Sequence, residues 1–331
     1  MTFAEIRGQD RVLKSLRLAL ERERLAHALL FAGPPGVGKA LTAQALAAAL
    51  LCPEAPGVGC GRCDDCHLVE TGAHPDLLRE DLARAREEKA TATKLSIEQM
   101  RRVRSRLAMR AVRGAKKVGI IDEAELLTVD AQNALLKTLE EPPGQATLIL
   151  VSTNPDALLE TIRSRCQCIL FAPLERQIVE DLLVDEGREP EVATAAAALS
   201  QGSVERALAL AEEGFLEESS ELRGKLDALG GASIPDVLDL AADLIGSRGE
   251  KGRAQRRLNQ EILLDWCRDQ LVEAAQGCPP PTSEEDEDRL APLQQALRRA
   301  ERAYATTREL DRNANAHLAW DRLLLDLREL R

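Results

Sequence analysis

The chain is 331 residues long, about twice the ~150 that serve as a prior for one domain, so two or three domains are expected. Hydrophobic residues make up 44% and charged ones 30%, which excludes a disordered polymer, and aromatics at 2% argue against a base-stacking surface for RNA or single strands. A net charge of −11 excludes a surface that is basic throughout, leaving any contact with nucleic acid to a local patch or to partner subunits. No uncharged stretch reaches the ~18 residues of a membrane span, and the charges at Glu5, Arg7, Asp10, Arg11, Lys14 and Arg17 leave no apolar core for a secretion signal. A cytoplasmic protein is expected, so its eight cysteines suggest metal ligands or free thiols before disulfides.

Residues 11–22 place Val12, Leu16, Ala19 and Leu20 at helical spacing. Ala28-Leu29-Leu30-Phe31-Ala32 reads as a buried strand stopped by Gly33-Pro34-Pro35-Gly36, and 39–51 as an Ala/Leu-rich helix. The Gly- and Cys-rich stretch from Cys52 to Cys66 is expected to be irregular. A short strand is expected at Leu77-Leu78, then a helix over 96–109 with Ile97, Met100, Val103 and Leu107 on one side. Further strands are expected at 118–122, 148–152 and 168–171. Continuous apolar runs alternating with helices predict a parallel sheet covered on both faces. Beyond Pro173 the pattern predicts helices alone: two or three short ones over 174–212, then a bundle interrupted by an exposed, Pro-rich and acidic loop over 276–288.

Three motifs carry chemistry. Gly33-Pro34-Pro35-Gly36-Val37-Gly38-Lys39-Ala40 runs from strand to helix, the context of a P-loop, where Gly33, Gly36 and Gly38 let backbone N–H groups cradle phosphates and Lys39 would meet the β- and γ-phosphates. The Ser or Thr that should follow, as a ligand to Mg²⁺, is Ala40, and Thr42 is turned about 200° away on the helix. About 85 residues later Asp122 and Glu123 end an apolar strand as a Walker B element, Asp122 to hold Mg²⁺ through water and Glu123 to polarise the attacking water. Finally, Cys52, Cys60, Cys63 and Cys66 put four thiols within 15 residues, a set that can close a tetrahedral, structural Zn²⁺ site.

Several strings converge: Gly8-Gln9; His27 leading into the P-loop; the cysteine insert behind the P-loop helix; His74-Pro75-Asp76; Asp122-Glu123-Ala124-Glu125; Gln132 through Leu135-Leu136-Lys137 to Glu140-Glu141-Pro142; and Thr161-Ile162-Arg163-Ser164-Arg165-Cys166. Together they closely resemble the AAA+ subunits of the bacterial DNA polymerase III clamp loader, densely over 6–173 and thinly beyond, where Asn313 to Leu318 resembles the collar. The resemblance implies a RecA-like α/β AAA+ domain with a zinc module (residues 1–172, module 52–66), a small helical lid (173–213) and an all-α collar (214–331). It implies partners too: gamma/tau-type and delta-type subunits in a pentameric ring that loads the sliding clamp onto primed DNA in replication. The family's finger motif falls on Arg165, which would act in trans on a neighbour's ATP. Two departures, Ala40 and Glu205 (where the ATPase type has arginine two residues after Ser203, with Arg206 offset by one), resemble the delta-prime type, as does an end at Arg331 without the tail of tau. Its own nucleotide site is then expected to be degenerate, with ATP and Mg²⁺ bound weakly if at all. The alternative is an ATP-hydrolysing gamma/tau-type subunit or another AAA+ ATPase. Eight basic residues and no acid lie between Arg101 and Lys117, and a solvated helix face is expected there in preference to a DNA contact.

Overall fold

The computed structural model describes residues 2–212, 215–245, 250–276, 287–311 and 315–330. They divide into two compact units, Met1–Ala207 and Leu208–Arg331. The first carries α1 (Asp10–Glu21), β1 (Ala28–Ala32), α2 (Lys39–Leu51), α3 (Asp64–Glu70), β2 (Leu77–Glu80), α4 (Leu82–Glu88), α5 (Ile97–Ala108), β3 (Lys116–Ile121), α6 (Val129–Glu140), β4 (Gln145–Ser152), α7 (Glu160–Arg163), β5 (Gln167–Leu170), α8 (Arg176–Asp185) and α9 (Pro190–Leu199). The division falls inside α10 (Val204–Leu210).

All five strands run parallel in the order β2-β3-β4-β1-β5. β1 is buried along its whole length because its alternate residues enter two different cores. Leu29 and Phe31 join Ile149 and Val151 beneath the alanines of α2 and the apolar side of α1. Ala28 and Leu30 join Leu148 and Leu150 beneath Met100 and Val103 of α5 and Leu135 and Leu139 of α6. The alanines of α2 (Ala43, Ala45, Ala47, Ala48, Ala49) let that helix lie close to the sheet and still be buried on more than one side. This is the parallel sheet covered on both faces that the strand and helix pattern predicts.

The strands at 116–121 and 145–152 start earlier than their apolar runs, since Lys116 pairs with Gln145 and Lys117 with Ala146. Pairing with β1 likewise begins β5 at Gln167. Helices α3, α4, α6 and α7 are not marked by the sequence pattern. α3 begins inside the cysteine stretch, where the Cys63 sulfur accepts the Cys66 N–H as its cap, and Asp81 caps α4 by accepting from the Arg84 N–H. Such side-chain caps satisfy N–H groups that a helix start leaves without partners.

The second unit is helical: α11 (Phe215–Asp227), α12 (Ile234–Ile245), α13 (Glu250–Gln276), α14 (Glu287–Asp311) and α15 (Ala316–Glu329). Trp320, Leu323, Leu324 and Leu327 form the buried side of α15, as their spacing predicts. Of the loop expected over 276–288, Gln276 and the residues from Glu287 onward are helical; 277–286, with Cys278, and Asn313 lie outside the described residues. No described helix is long and apolar enough to cross a membrane.

Candidate functional site

The P-loop leaves the carboxyl end of β1, beside the carboxyl ends of β4 and β5 and one strand from that of β3, where open parallel sheets bind their ligands. Gly36 and Gly38 take the positive φ values, 66° and 92°, that the turn demands. Buried Gln9 holds the loop from outside by donating to Val37 O at 3.2 Å and Ala172 O at 2.8 Å, a task for the Gly8-Gln9 string that the sequence did not reveal. Lys39 is buried, and its ammonium turns back on the loop, donating to Gly33 O at 2.8 Å and to Pro34 O. Burial lowers its pKa, opposed by the carboxylates of Glu125, Asp122 and Glu205. Thr42 is spent on Gly38 O at 2.8 Å, so it does not replace the hydroxyl missing at Ala40.

Asp122 and Glu123 stand at the end of β3 as expected, and burial raises both carboxyls. Their bonds point inward to the protein: Asp122 Oδ1 accepts from the Glu123 N–H at 2.9 Å, and Glu123 Oε2 accepts from the Leu82 N–H at 2.9 Å, the first residue of α4. A cleft of about 10 Å³ at Ala40 is shared by Asp122 and Arg79, whose guanidinium draws the Asp122 carboxyl back toward ionisation. Sequence reasoning missed Arg79, because nothing in β2 marks it as a neighbour of β3's acid. Glu125, also unassigned from sequence, accepts from the Thr153 N–H at 3.3 Å beyond β4.

The segment after α9 closes on the loop. Val204 N–H donates to Gly36 O at 2.9 Å, and a Cβ on Gly36 would lie 2.5 Å from Ser203 Oγ and 2.6 Å from Glu205 N. Gly202 (φ 79°) anchors this segment, accepting from the Leu174 N–H at 3.0 Å in a space where a Cβ would meet Leu174 O at 2.4 Å. Glu205, an acid, therefore lies directly against the phosphate loop.

The four cysteine sulfurs lie within 4.8 Å of one another. Cys52–Cys63 at 3.8 Å and Cys60–Cys66 at 3.9 Å match the ~3.8 Å edge of a tetrahedron with ~2.3 Å metal–sulfur bonds. Backbone N–H groups of Ala55 and Cys60 point at Cys52, that of Cys63 at Cys60, and that of Cys66 at Cys63, all at 3.3–3.4 Å. Burial pushes the Cys52 thiol up, but the Cys60 and Ala55 N–H groups and the neighbouring sulfurs outweigh it and bring it down to about 7. Burial pushes Cys66 up to about 12. The donor set fits a metal ion with no open coordination position. His67, adjacent in sequence, is exposed and outside the cluster. No disulfide joins the described cysteines; Cys166 and Cys267 are buried and Cys168 is exposed.

Next to the cluster lies a polar network built on buried Asp65, His74 and Asp76. Asp65 of α3 meets His74 Nε2 at 3.1 Å and Arg113 Nε at 2.7 Å. Fully buried Asp76 accepts the Val112 and Arg113 N–H groups, each at 2.8 Å, and its own N–H donates to His74 Nδ1 at 3.1 Å. The basic stretch is thus structural at Arg113 and Lys117, while Arg101, Arg102 and Arg106 of α5 are exposed, as expected of a solvated helix face. Lys117 is buried and donates to Arg106 O at 2.6 Å, while Arg102 pairs with Glu88 at 2.5 Å.

Arg165 lies at the opposite edge of the sheet. β5 runs parallel to β1 with Gln167 beside Leu29 and Leu170 beside Ala32. Arg165 therefore precedes the amino ends of the strands, while the P-loop follows their carboxyl ends, ~15–20 Å away at ~3.3 Å per residue. Its guanidinium pairs with Glu140 Oε1 at 2.8 Å and donates to Thr161 O at 3.0 Å.

The family model described as DNA polymerase III, delta subunit matches residues 8–175, the whole of the sheet and its motifs. The chain belongs to this family. Among polymerase III relatives, the delta' subunit of Bacillus subtilis is 34% identical over 220 residues, covering 66% of this chain and 63% of the relative. The delta' subunit of Pseudomonas aeruginosa is 40% identical over 146 residues, 44% of this chain and 43% of the relative. The tau subunit of Escherichia coli K12 is 32% identical over 278 residues, 80% of this chain but 42% of the relative. The chain spans less than two thirds of the length of each. The family expected from the motifs is thereby shown, and both delta' and tau names occur among its relatives.

Proposed function

We propose that the chain is a delta-prime-type subunit of the polymerase III clamp loader. In this reading it helps assemble a pentameric ring with gamma/tau-type and delta-type subunits that places the sliding clamp on primed DNA, hydrolyses little or no ATP itself, and offers Arg165 to a neighbour's ATP. Residues 173–213 serve as the lid, 214–331 as the collar, and Zn²⁺ fills the Cys52, Cys60, Cys63 and Cys66 site as a structural ion.

The observation that carries the reading is the state of the P-loop. Residue 40 offers no hydroxyl to Mg²⁺, Lys39 is folded onto Gly33 O and Pro34 O, and the carboxylates of Asp122, Glu125 and Glu205 act on that ammonium, with Arg79 beside Asp122. An incoming triphosphate would meet more negative than positive charge, with one metal ligand short. Arg165 supports the second half of the reading, because the sheet itself stands between it and its own P-loop. A guanidinium is always charged and forked, suited to a γ-phosphate whose charge spreads in the transition state.

The test is steady-state ATP turnover by the purified chain and by the complex reconstituted with the other polymerase III subunits of the same organism. Turnover by the isolated chain should be negligible, and Lys39→Ala should leave turnover and clamp loading by the complex unchanged. A large loss with Lys39→Ala would favour the ATP-hydrolysing gamma/tau-type reading. Arg165→Ala should leave folding and assembly intact and slow only the site it faces, by ~10³-fold or more if arginine fingers elsewhere are a guide.

A further inference from the structure

We propose that Glu140 is the positioning residue for Arg165, fixing the guanidinium for action across a subunit interface; this rests on the reading of Arg165 as a finger in trans. An arginine has four side-chain torsions and, unsupported on a short turn, spreads over many rotamers. Here two contacts select one of them. Glu140 Oε1 takes the Nη2 side at 2.8 Å and Thr161 O takes the Nη1 side at 3.0 Å, using two of the five N–H donors and leaving three for a ligand. The side chains remain 36% and 49% exposed, so the pair adds little stability, and its value lies in direction.

Glu140 can aim Arg165 because its own mount is firm. It is the last residue of α6, whose Leu135, Thr138 and Leu139 are buried and whose Leu139 O meets His27 Nε2 at 2.9 Å. Twelve residues at 1.5 Å carry α6 ~18 Å, from Thr128 just beyond the Walker B acids to the sheet's amino edge. On the way, buried Gln132 Oε1 accepts from the Leu159 N–H at 2.7 Å, directly before α7, which carries Thr161 and leads to Arg165. Both guanidinium acceptors therefore belong to elements tied to each other by one buried amide.

The experiment uses the reconstituted complex, with the P-loop lysines of the partner subunits replaced so that only the ATP site facing this chain turns over. Glu140→Ala should lower kcat at that site ~10-fold with little change in KM, as expected when a reacting group is displaced by about an ångström or less. Glu140→Gln, which keeps the acceptor oxygen, should recover most of the loss. In an Arg165→Ala background, Glu140→Ala should cost nothing further, because its effect passes through Arg165. If Arg165→Ala slows the site but Glu140→Ala does not, or if Glu140→Ala costs as much with Arg165 absent, the positioning role is overturned and the finger stands. If Arg165→Ala leaves the site at full speed, the finger reading itself fails, and the role of Glu140 with it.

Discussion

At Cys63 one sulfur does two jobs, as a corner of the thiol tetrahedron and as the cap of α3 through the Cys66 N–H. A serine there still caps but offers a poor ligand to a soft ion. Cys63→Ser should lower Zn²⁺ affinity by ~10²-fold or more, read by competition with a chromophoric chelator, while Cys168→Ser on exposed β5 should leave it unchanged. Asp122 shows the converse, a group whose environment costs stability. Burial raises its folded pKa above the unfolded value. The unfolded chain then holds fewer protons, so the deficit is absent below the unfolded carboxyl pKa of ~3.9 and complete once pH exceeds the folded value. Asp122→Asn keeps the acceptor for the Glu123 N–H and removes the charge, so it should raise the melting midpoint at pH 7–8 by ~1–3 °C. That gain should vanish as pH falls toward 4; a gain independent of pH would show that the charge is not its cause.

Among the elements, the loop between α5 and β3 is held from the cysteine module's side. Asp76 gives each of its carboxylate oxygens to one backbone N–H, and Asp65 grips Arg113, so α3 and the loop share one network through buried His74. Asp76→Asn must turn an amide N–H₂ toward a backbone N–H, leaving a buried donor unsatisfied at a cost of ~2 kcal/mol, measurable by denaturant unfolding. The Val112 and Arg113 amides should exchange with solvent much faster in that variant, and stripping the metal from the wild type should loosen the same two amides through Asp65. Unchanged exchange there after metal removal would mean that the module and the loop are independent. Neither effect is predicted for Arg110 or Lys116, which are exposed in the same basic stretch.

For the whole molecule, the two compact units imply separable responses. The cysteine cluster belongs entirely to the unit Met1–Ala207, and the core of α12, α13 and α15 entirely to Leu208–Arg331. Chelation should lower the midpoint of one calorimetric transition and leave a second in place, carried by buried Leu240, Leu244, Trp266, Trp320 and Leu324. A single transition that shifts as a whole would show that the units unfold together.

Much of this was legible in the residues because it depends on local pattern. Apolar runs of strand length marked β1, β3 and β4, helical spacing marked α1, α5 and α15, and the glycines, Lys39 and the four cysteines announced their chemistry through spacing along the chain. The sequence also determined that residue 40 has no hydroxyl. Other facts follow from residues distant in sequence meeting in space, which no local period encodes. Strand order brought Arg79 of β2 beside Asp122 of β3. The turn at Gly202 laid Ser203 and Glu205 on Gly36, and Gln9 reached both Val37 and Ala172. The placing of Arg165 belongs to the same class. Its motif stands in the sequence, but only the parallel pairing of β5 with β1 puts it at the edge of the sheet away from its own P-loop, and only the end of α6 supplies the carboxylate that holds it.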